Sequence, residues 1–227
     1  MPTPQLPFHF EFEPAFSFAN FVAEPGNHPL LHRLQADAGQ PGQLTWLWGQ
    51  QGIGKTHLLQ AFCQRHKAAI YVPVARLQQH AVESLHSLMQ CDLLVLDDLH
   101  LLAGYPAWEE ALFELCNGLL ARKGTLLASS QLPPGQTPFA LQDLRSRLQL
   151  ALVYEVKELS DAGKGAVLQT NATARGIELR EDVVHFLLSR HSRSLQELLL
   201  VLAQLDKQAL AEQRRLTIPF IKSVMGW

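Results

Sequence analysis

The chain has 227 residues, 47% of them hydrophobic and 18% charged, with a formal net charge of −2. This composition builds an ordinary globular core and excludes collagen-like, disordered and membrane-spanning chains. The near-neutral charge argues against tight unaided binding to nucleic acid, which needs a cationic face to neutralise phosphates.

The N-terminus has no basic or continuous apolar stretch, and Glu11 and Glu13 follow it, so it is not read as a secretion signal. Gln5-Leu6-Pro7-Phe8-His9-Phe10 places apolar side chains beside a free end, where they gain nothing in water. They either tuck inward as a first strand or serve as a ligand for another protein. Gln5 offers paired amide hydrogen bonds, while Leu6, Phe8 and Phe10 are anchors for an apolar groove. Pro2, Pro4 and Pro7 restrict the free chain and lower the ordering cost of binding. The ligand reading is adopted.

Leu44-Thr45-Trp46-Leu47-Trp48 reads as a short apolar strand closed by Gly49, and 55–66 as a helix with Leu58, Leu59 and Phe62 on one face. Residues 70–72 form a second strand, and 75–89 is helical with a break. The third strand, 93–96, is apolar at every position, the pattern of a parallel strand covered on both faces. Pro106 suits the first turn of a helix over 106–122. A strand over 125–128, a Pro133-Pro134-Gly135 loop, a short helix over 141–148 and a strand over 152–156 complete the alternation. It predicts a parallel five-stranded α/β sheet with helices on both faces. From Ser160 the strands stop: 161–175, 181–190, 194–213 and 218–225 read as helices, with Ser160, Ser194 and Thr217 as N-caps. The expected division is an N-terminal binding segment over 1–14, a nucleotide-binding α/β domain over 15–158 and a small all-helical domain over 159–227.

Cys63, Cys91 and Cys116 fit no zinc or thioredoxin spacing and read as small buried hydrophobes, and the ten histidines form no metal-binding pattern. The chemistry lies in Gly49-Gln50-Gln51-Gly52-Ile53-Gly54-Lys55-Thr56, a G-x-x-x-x-G-K-T run between a strand and a helix. Its glycines let backbone N–H groups wrap phosphates, Lys55 places charge on the β- and γ-phosphates, and the Thr56 hydroxyl helps to hold Mg²⁺. Gly49, Gln51, Gly52, Ile53, Gly54, Lys55, Thr56 and the adjoining His57 are the expected nucleotide contacts. A second motif, Leu93-Leu94-Val95-Leu96-Asp97-Asp98, ends an apolar strand in two carboxylates. Asp97 suits the Mg²⁺ shell, and Asp98 the orientation of an attacking water.

With these motifs the chain resembles the AAA+ ATPases of the replication-initiator type, nearly end to end. Within that family it is similar to stand-alone relatives of the bacterial initiator DnaA. The resemblance implies a P-loop AAA+ core followed by a helical lid. Phe16 to Phe21, continued by Gly26-Asn27, looks like the segment leading to the nucleotide-base pocket, which implicates Phe21 and Asn27. Residues 49–56 and 93–98 match Walker A and B, and Trp108-Glu109 with Phe113 to Asn117 resemble the helix after Walker B. Residues 126–134 are similar to the sensor 1 strand, with Ser130 or Gln131 as the polar residue facing the γ-phosphate; the family commonly has aspartate at Gln131. Asp143 to Leu148 looks like box VII, making Arg147 an arginine finger that acts on nucleotide in a neighbouring subunit. At the sensor 2 position, where the family expects arginine, stands Gln196, which supplies no charge; Arg193 lies one turn earlier.

The hexapeptide 5–10 resembles the family's clamp-binding motif. The resemblance then implies a cytoplasmic negative regulator of replication initiation that binds adenine nucleotide, ADP in its active form or ATP, with Mg²⁺. It docks on the DNA polymerase III sliding clamp (β subunit) through Gln5, Leu6, Phe8 and Phe10. Arg147 promotes ATP hydrolysis by DnaA, and Asp98 belongs to the chain's own hydrolytic apparatus, which Gln196 weakens. Self-association is expected, contact with DNA is indirect or weak, and no membrane is involved. The chain carries no helix-turn-helix region after the lid, which fits a regulator better than an initiator. Two alternatives remain: an autonomous AAA+ ATPase that loads a helicase or remodels DNA, and an adaptor without effect on hydrolysis.

Overall fold

The computed structural model describes residues 16–36, 41–190 and 194–227, which fall into two compact units. In the first, a five-stranded parallel sheet has the order β2-β3-β4-β1-β5. Its strands are β1 (Leu44–Trp48), β2 (Ile70–Pro73), β3 (Leu93–Asp97), β4 (Thr125–Ser130) and β5 (Leu152–Glu155). Helices α1 (His28–Gln35), α2 (Lys55–Arg65), α3 (Val74–Leu77), α4 (Ser84–Leu88), α5 (Pro106–Ala121) and α6 (Gln142–Leu148) belong to the same unit.

Because successive strand residues point to opposite faces, each interior strand feeds two cores. Trp46, Leu94, Leu96, Leu126 and Ala128 pack with Leu112 and Leu115 of α5 and Leu144 and Leu148 of α6. Leu47, Val95 and Leu127 pack on the other side with Leu58, Leu59 and Phe62 of α2 and Leu30 and Leu34 of α1. Every residue of β3 and of β4 is buried, as the uninterrupted apolar run 93–96 predicted for its strand.

Two differences from the sequence reading, helix α1 and the length of β4, have local causes. Helix α1 was not expected, because its sequence HPLLHRLQ is short and polar; Leu30 and Leu34, four residues apart, bury one stripe of it. The break expected in the helical stretch over 75–89 is present, dividing it into α3 and α4 with turns between them. Strand β4 runs two residues beyond Ala128, so Ser129 and Ser130 pair with Leu47 and Trp48 inside the sheet.

The second unit comprises Val22–Glu24 and Glu158–Trp227. It holds α7 (Asp161–Ala174), α8 (Glu181–Arg190), α9 (Leu195–Glu212) and α10 (Ile218–Met225) around Leu168, Val183, Leu187, Leu198, Leu202, Leu205 and Phe220. The expected N-caps are in place: the side chains of Ser160, Ser194 and Thr217 accept from the N–H groups of Gly163, Glu197 and Phe220. Each such cap contributes about 1 kcal/mol. Glu24 joins this unit by accepting from both the backbone N–H and the hydroxyl of Ser160, each at 2.7 Å. Among the described residues no helix is long and apolar enough to cross a membrane.

Leu94 is fully buried on an interior strand. Its replacement by alanine is expected to cost about 2–5 kcal/mol, the range for emptied core sites, by urea unfolding; a cost below about 1 kcal/mol would contradict this placement.

Candidate nucleotide site

The loop from Gly49 to Gly54 joins β1 to α2 and can be made only with glycine at its tight points. At Gly49 the backbone has φ +152°, and an added Cβ would lie 2.2 Å from Ile53 Cδ1 and 3.0 Å from Val156 O. At Gly54 φ is +101°, and a Cβ would come within 3.0 Å of the Phe21 ring. The loop therefore closes on itself and on the end of β5, while the first amides of α2, which lack intrahelical acceptors, remain available to an anion. Lys55 is buried, and its Nζ donates to Gly49 O and Gln50 O at 2.8 Å each. Burial lowers its pKa, opposed by the nearby Asp98 and Asp97 carboxylates. The ammonium is thus held across its own loop by neutral carbonyls, an arrangement that phosphate oxygens can replace with stronger charge-assisted bonds.

Asp97 ends β3 buried, and both its oxygens are engaged. Oδ1 accepts from the Ser129 hydroxyl, and Oδ2 accepts from the Tyr71 hydroxyl at 2.8 Å. Gln60 Nε2 donates in turn to Tyr71 at 3.3 Å. Burial and the Asp97 charge push the Tyr71 pKa far up, so it remains a donor. The same two causes raise the Cys63 thiol to about 12, which keeps it an inert core residue. Ser129 also accepts from the Asp98 N–H at 2.8 Å, so one hydroxyl ties both aspartates to β4. Asp98 adopts the left-handed conformation at φ 61°, which turns its carboxyl out of the strand line. Burial and Asp97 raise its pKa, while His100 and Lys55 act against that rise.

On the opposite side of the loop, His57 is stacked on Phe16 with ring centroids 4.7 Å apart and meets the edge of Phe21 at 5.3 Å. Its Nε2 donates to Ser17 O at 2.8 Å, and burial keeps its pKa below the ordinary value against that bond. Phe21 therefore reaches both Gly54 and His57. Asn27 is buried and spends its amide on the Lys157 backbone, donating to its carbonyl at 3.1 Å and accepting from its N–H at 2.8 Å.

The structure thus brings Phe21, Gly49, Gly54, Lys55, Thr56, His57, Asp97 and Asp98 around one loop. Ser130 is fully buried at the end of β4, with its Oγ accepting from Leu132 N–H at 3.3 Å, and Gln131 is exposed. Arg147 lies in the last turn of α6, half-buried. Gln196 is exposed in the first turn of α9, in the helical unit. Gln5, Leu6, Phe8, Phe10 and Arg193 lie outside the described residues, as does any first strand at the N-terminus. Sequence reasoning did not single out Ser129 or Tyr71. Ser129 stands one step past the Leu96↔Ala128 pair, so strand register would have found it. Tyr71 has no local signal.

Thr56, Lys55 and the buried Asp97 supply the hydroxyl, cation and carboxylate that a magnesium–nucleotide complex requires, and the glycine cradle leaves its backbone open to phosphate. The residues fit that group.

With β4 lying between the strand that feeds the phosphate loop and the strand that ends in the aspartates, and a helical unit after the sheet, the fold and site define an AAA+ P-loop protein. The chain belongs to the bacterial DnaA ATPase-domain family, whose model matches residues 12–155. Residues 161–225 match the Hda lid domain. Among solved structures it is similar to domain III of the Thermotoga maritima replication initiation protein DnaA, at 21% identity and a TM-score of 0.83 over 96% of this chain and 98% of that one. AMPPCP-bound DnaA from Aquifex aeolicus is 23% identical with a TM-score of 0.69 over 84% and 64% of the two chains. RuvB of Thermotoga maritima is 16% identical with a TM-score of 0.73 over 93% and 71%. At these identities the likeness concerns the fold.

Two outcomes test the site. Ser129→Ala strands a buried carboxylate oxygen and an N–H and is expected to cost about 2 kcal/mol or more in urea unfolding, whereas Ser130→Ala, losing one long bond, costs about 1 kcal/mol or less. The reverse order would contradict the bridging role. Because the folded state resists protonating His57, the unfolded chain binds more protons once pH falls through about 6.5, and stability declines there. His57→Phe removes that contribution. Melting followed by circular dichroism between about pH 7.5 and 5.5 should show a flatter decline in the variant than in the native protein; an unchanged slope would contradict the burial argument.

Proposed function

We propose that the chain is a nucleotide-holding regulator of a DnaA-type initiator that inserts Arg147 into the initiator's ATP site and promotes hydrolysis there. The observation that carries this reading is the state of Arg147 within a DnaA-family chain. Its half-buried guanidinium makes no hydrogen bond or ion pair among the described residues. Such a group gains most from an external anion, and the transferring γ-phosphate of a partner is one.

In this reading the chain's own P-loop holds adenine nucleotide as a switch, with ADP the active form; the DnaA of Aquifex aeolicus is AMPPCP-bound. Gly49, Gln51, Gly52, Ile53, Gly54, Lys55, Thr56 and His57 bind the phosphates, Phe21 packs against the base, and Asn27 holds the adjoining backbone. Ser130 takes the sensor 1 place. Thr56 and Asp97 hold Mg²⁺, which neutralises phosphate charge when bound. Gln196, neutral at the sensor 2 position, and Arg193 one turn before it leave the chain's own hydrolysis weak. The segment Gln5, Leu6, Phe8 and Phe10 tethers the protein to the DNA-loaded sliding clamp of the replicase, so contact with DNA is indirect, and the protein self-associates.

A second reading, an autonomous ATPase that loads a helicase or remodels DNA, has one observation in its favour: Asp97 is already oriented by two donors with Asp98 beside it. Turnover by the isolated chain at a rate unaffected by clamp and initiator would favour it.

The reading predicts that the native chain accelerates hydrolysis by ATP-loaded DnaA in the presence of clamp on DNA. Arg147→Ala should lose that acceleration, by roughly a thousandfold or to background, as for other arginine fingers. Equal acceleration by the variant would remove the finger assignment. Independently, Gln5→Ala combined with Phe8→Ala should weaken clamp binding measured by surface plasmon resonance; unchanged affinity would dispose of the tether.

A further inference from the structure

Glu109, in the first turn of α5, is 1% exposed. Its carboxylate accepts three backbone N–H groups from two distant places in the chain. Oε1 accepts from Gly104 at 2.7 Å and from Ala140 at 3.1 Å, and Oε2 accepts from Leu141 at 2.7 Å. A buried carboxylate persists only when its charge is compensated in this way, and among the described residues none of the three N–H groups has another acceptor. Leu141 is the N-cap residue of α6, and its side chain makes no capping hydrogen bond.

Helix α6 spans only Gln142–Leu148 and buries just two residues, Leu144 and Leu148, in the core. Two contacts on one stripe hold a short helix against the sheet but leave its axial position and rotation weakly determined. The charge-assisted bonds at its entry supply what those contacts do not. Arg147 lies two turns or less from that anchor. At the other end of the same carboxylate, Gly104 follows the 3-10 turn Leu99–Leu102 that begins directly after Asp98.

We propose that Glu109 is the positioning residue of Arg147: it fixes the entry of α6 and joins it to the segment that leaves the acidic pair of the chain's own nucleotide site. The inference rests on the reading of Arg147 as a finger. It adds a route, wholly within one domain, by which the Asp97–Asp98 end of β3 is mechanically tied to the helix that presents the guanidinium. A glutamine at this position keeps the size but sets an amide N–H₂ against one of the backbone donors, so one end of the tie is lost.

The test compares native chain, Glu109→Gln, Arg147→Ala and the double variant for acceleration of ATP hydrolysis by ATP-loaded DnaA with clamp on DNA, together with ADP binding by calorimetry. Glu109→Gln is expected to lower the maximal acceleration about a hundredfold, the cost of an ångström-scale misplacement, while ADP affinity stays at the native value. Adding Glu109→Gln to Arg147→Ala should lower the rate little further, because both changes remove the same interaction. Independent, multiplying losses, or an undiminished rate in Glu109→Gln, would overturn the proposal. If Arg147→Ala itself keeps native acceleration, it is the finger reading that fails. Hydrogen exchange by NMR on the native protein provides a second measure. The Leu141 and Gly104 amides are expected to be protected, and rapid exchange at Leu141 would overturn the anchor.

Discussion

The architecture turns on how closely the chain passes itself at Gly49. A single methyl group there would meet Ile53 and the carbonyl of Val156, so the loop leaving β1 can lie against both the start of α2 and the end of β5 only because that position has no side chain. This close approach gathers the loop amides, the Lys55 ammonium and the aromatic pair Phe21 and His57 at the C-terminal ends of the strands. The rest of the α/β unit supports that end of the sheet, and β3 delivers its carboxylates there.

A second constraint operates between strands. Ser129 reaches from β4 to the Asp97 carboxylate and the Asp98 amide, and Tyr71 reaches the same carboxylate from β2. The acidic pair is therefore gripped by both neighbouring strands. Buried polar networks of this sort are valuable only when fully satisfied, and here both carboxylate oxygens of Asp97 have donors. Glu109 repeats the same logic lower in the chain, where one carboxylate satisfies three amides and so fixes the relation of two loops and a helix.

The elements that were legible in the sequence are those whose signals are local. The phosphate loop is written in glycine spacing, β3 in an apolar run closed by Asp97, and the helical unit in Ser160, Ser194 and Thr217, whose capping bonds need only three residues of chain. What escaped depends on tertiary register. Ser129 is one of two adjacent serines, and only the pairing of β3 with β4 selects it over Ser130. Tyr71 carries no neighbouring motif, and Glu109, although it stands in the segment resembling the helix after Walker B, has no local sign of its bonds to Ala140 and Leu141, which lie 31 and 32 residues further on. Helix α1 was hidden by its polar composition, its two buried leucines being too few to register as a period. Val22–Glu24, which sides with the helical unit through Glu24 and Ser160, has no mark of that allegiance in its own residues.

In the proposed reading nucleotide is held on this chain and hydrolysed on DnaA, and a single-turnover experiment with two arms distinguishes the sites. In the first arm DnaA is loaded with radiolabelled ATP and this chain with unlabelled ADP, and the label is followed by thin-layer chromatography after mixing with clamp on DNA. In the second arm radiolabelled ATP is held by this chain alone with clamp on DNA and followed in the same way. The expected result is conversion of the DnaA-bound ATP to ADP in the first arm while the ATP on this chain persists over the same interval in the second. Rapid loss of this chain's own ATP with the DnaA-bound label intact would overturn the reading.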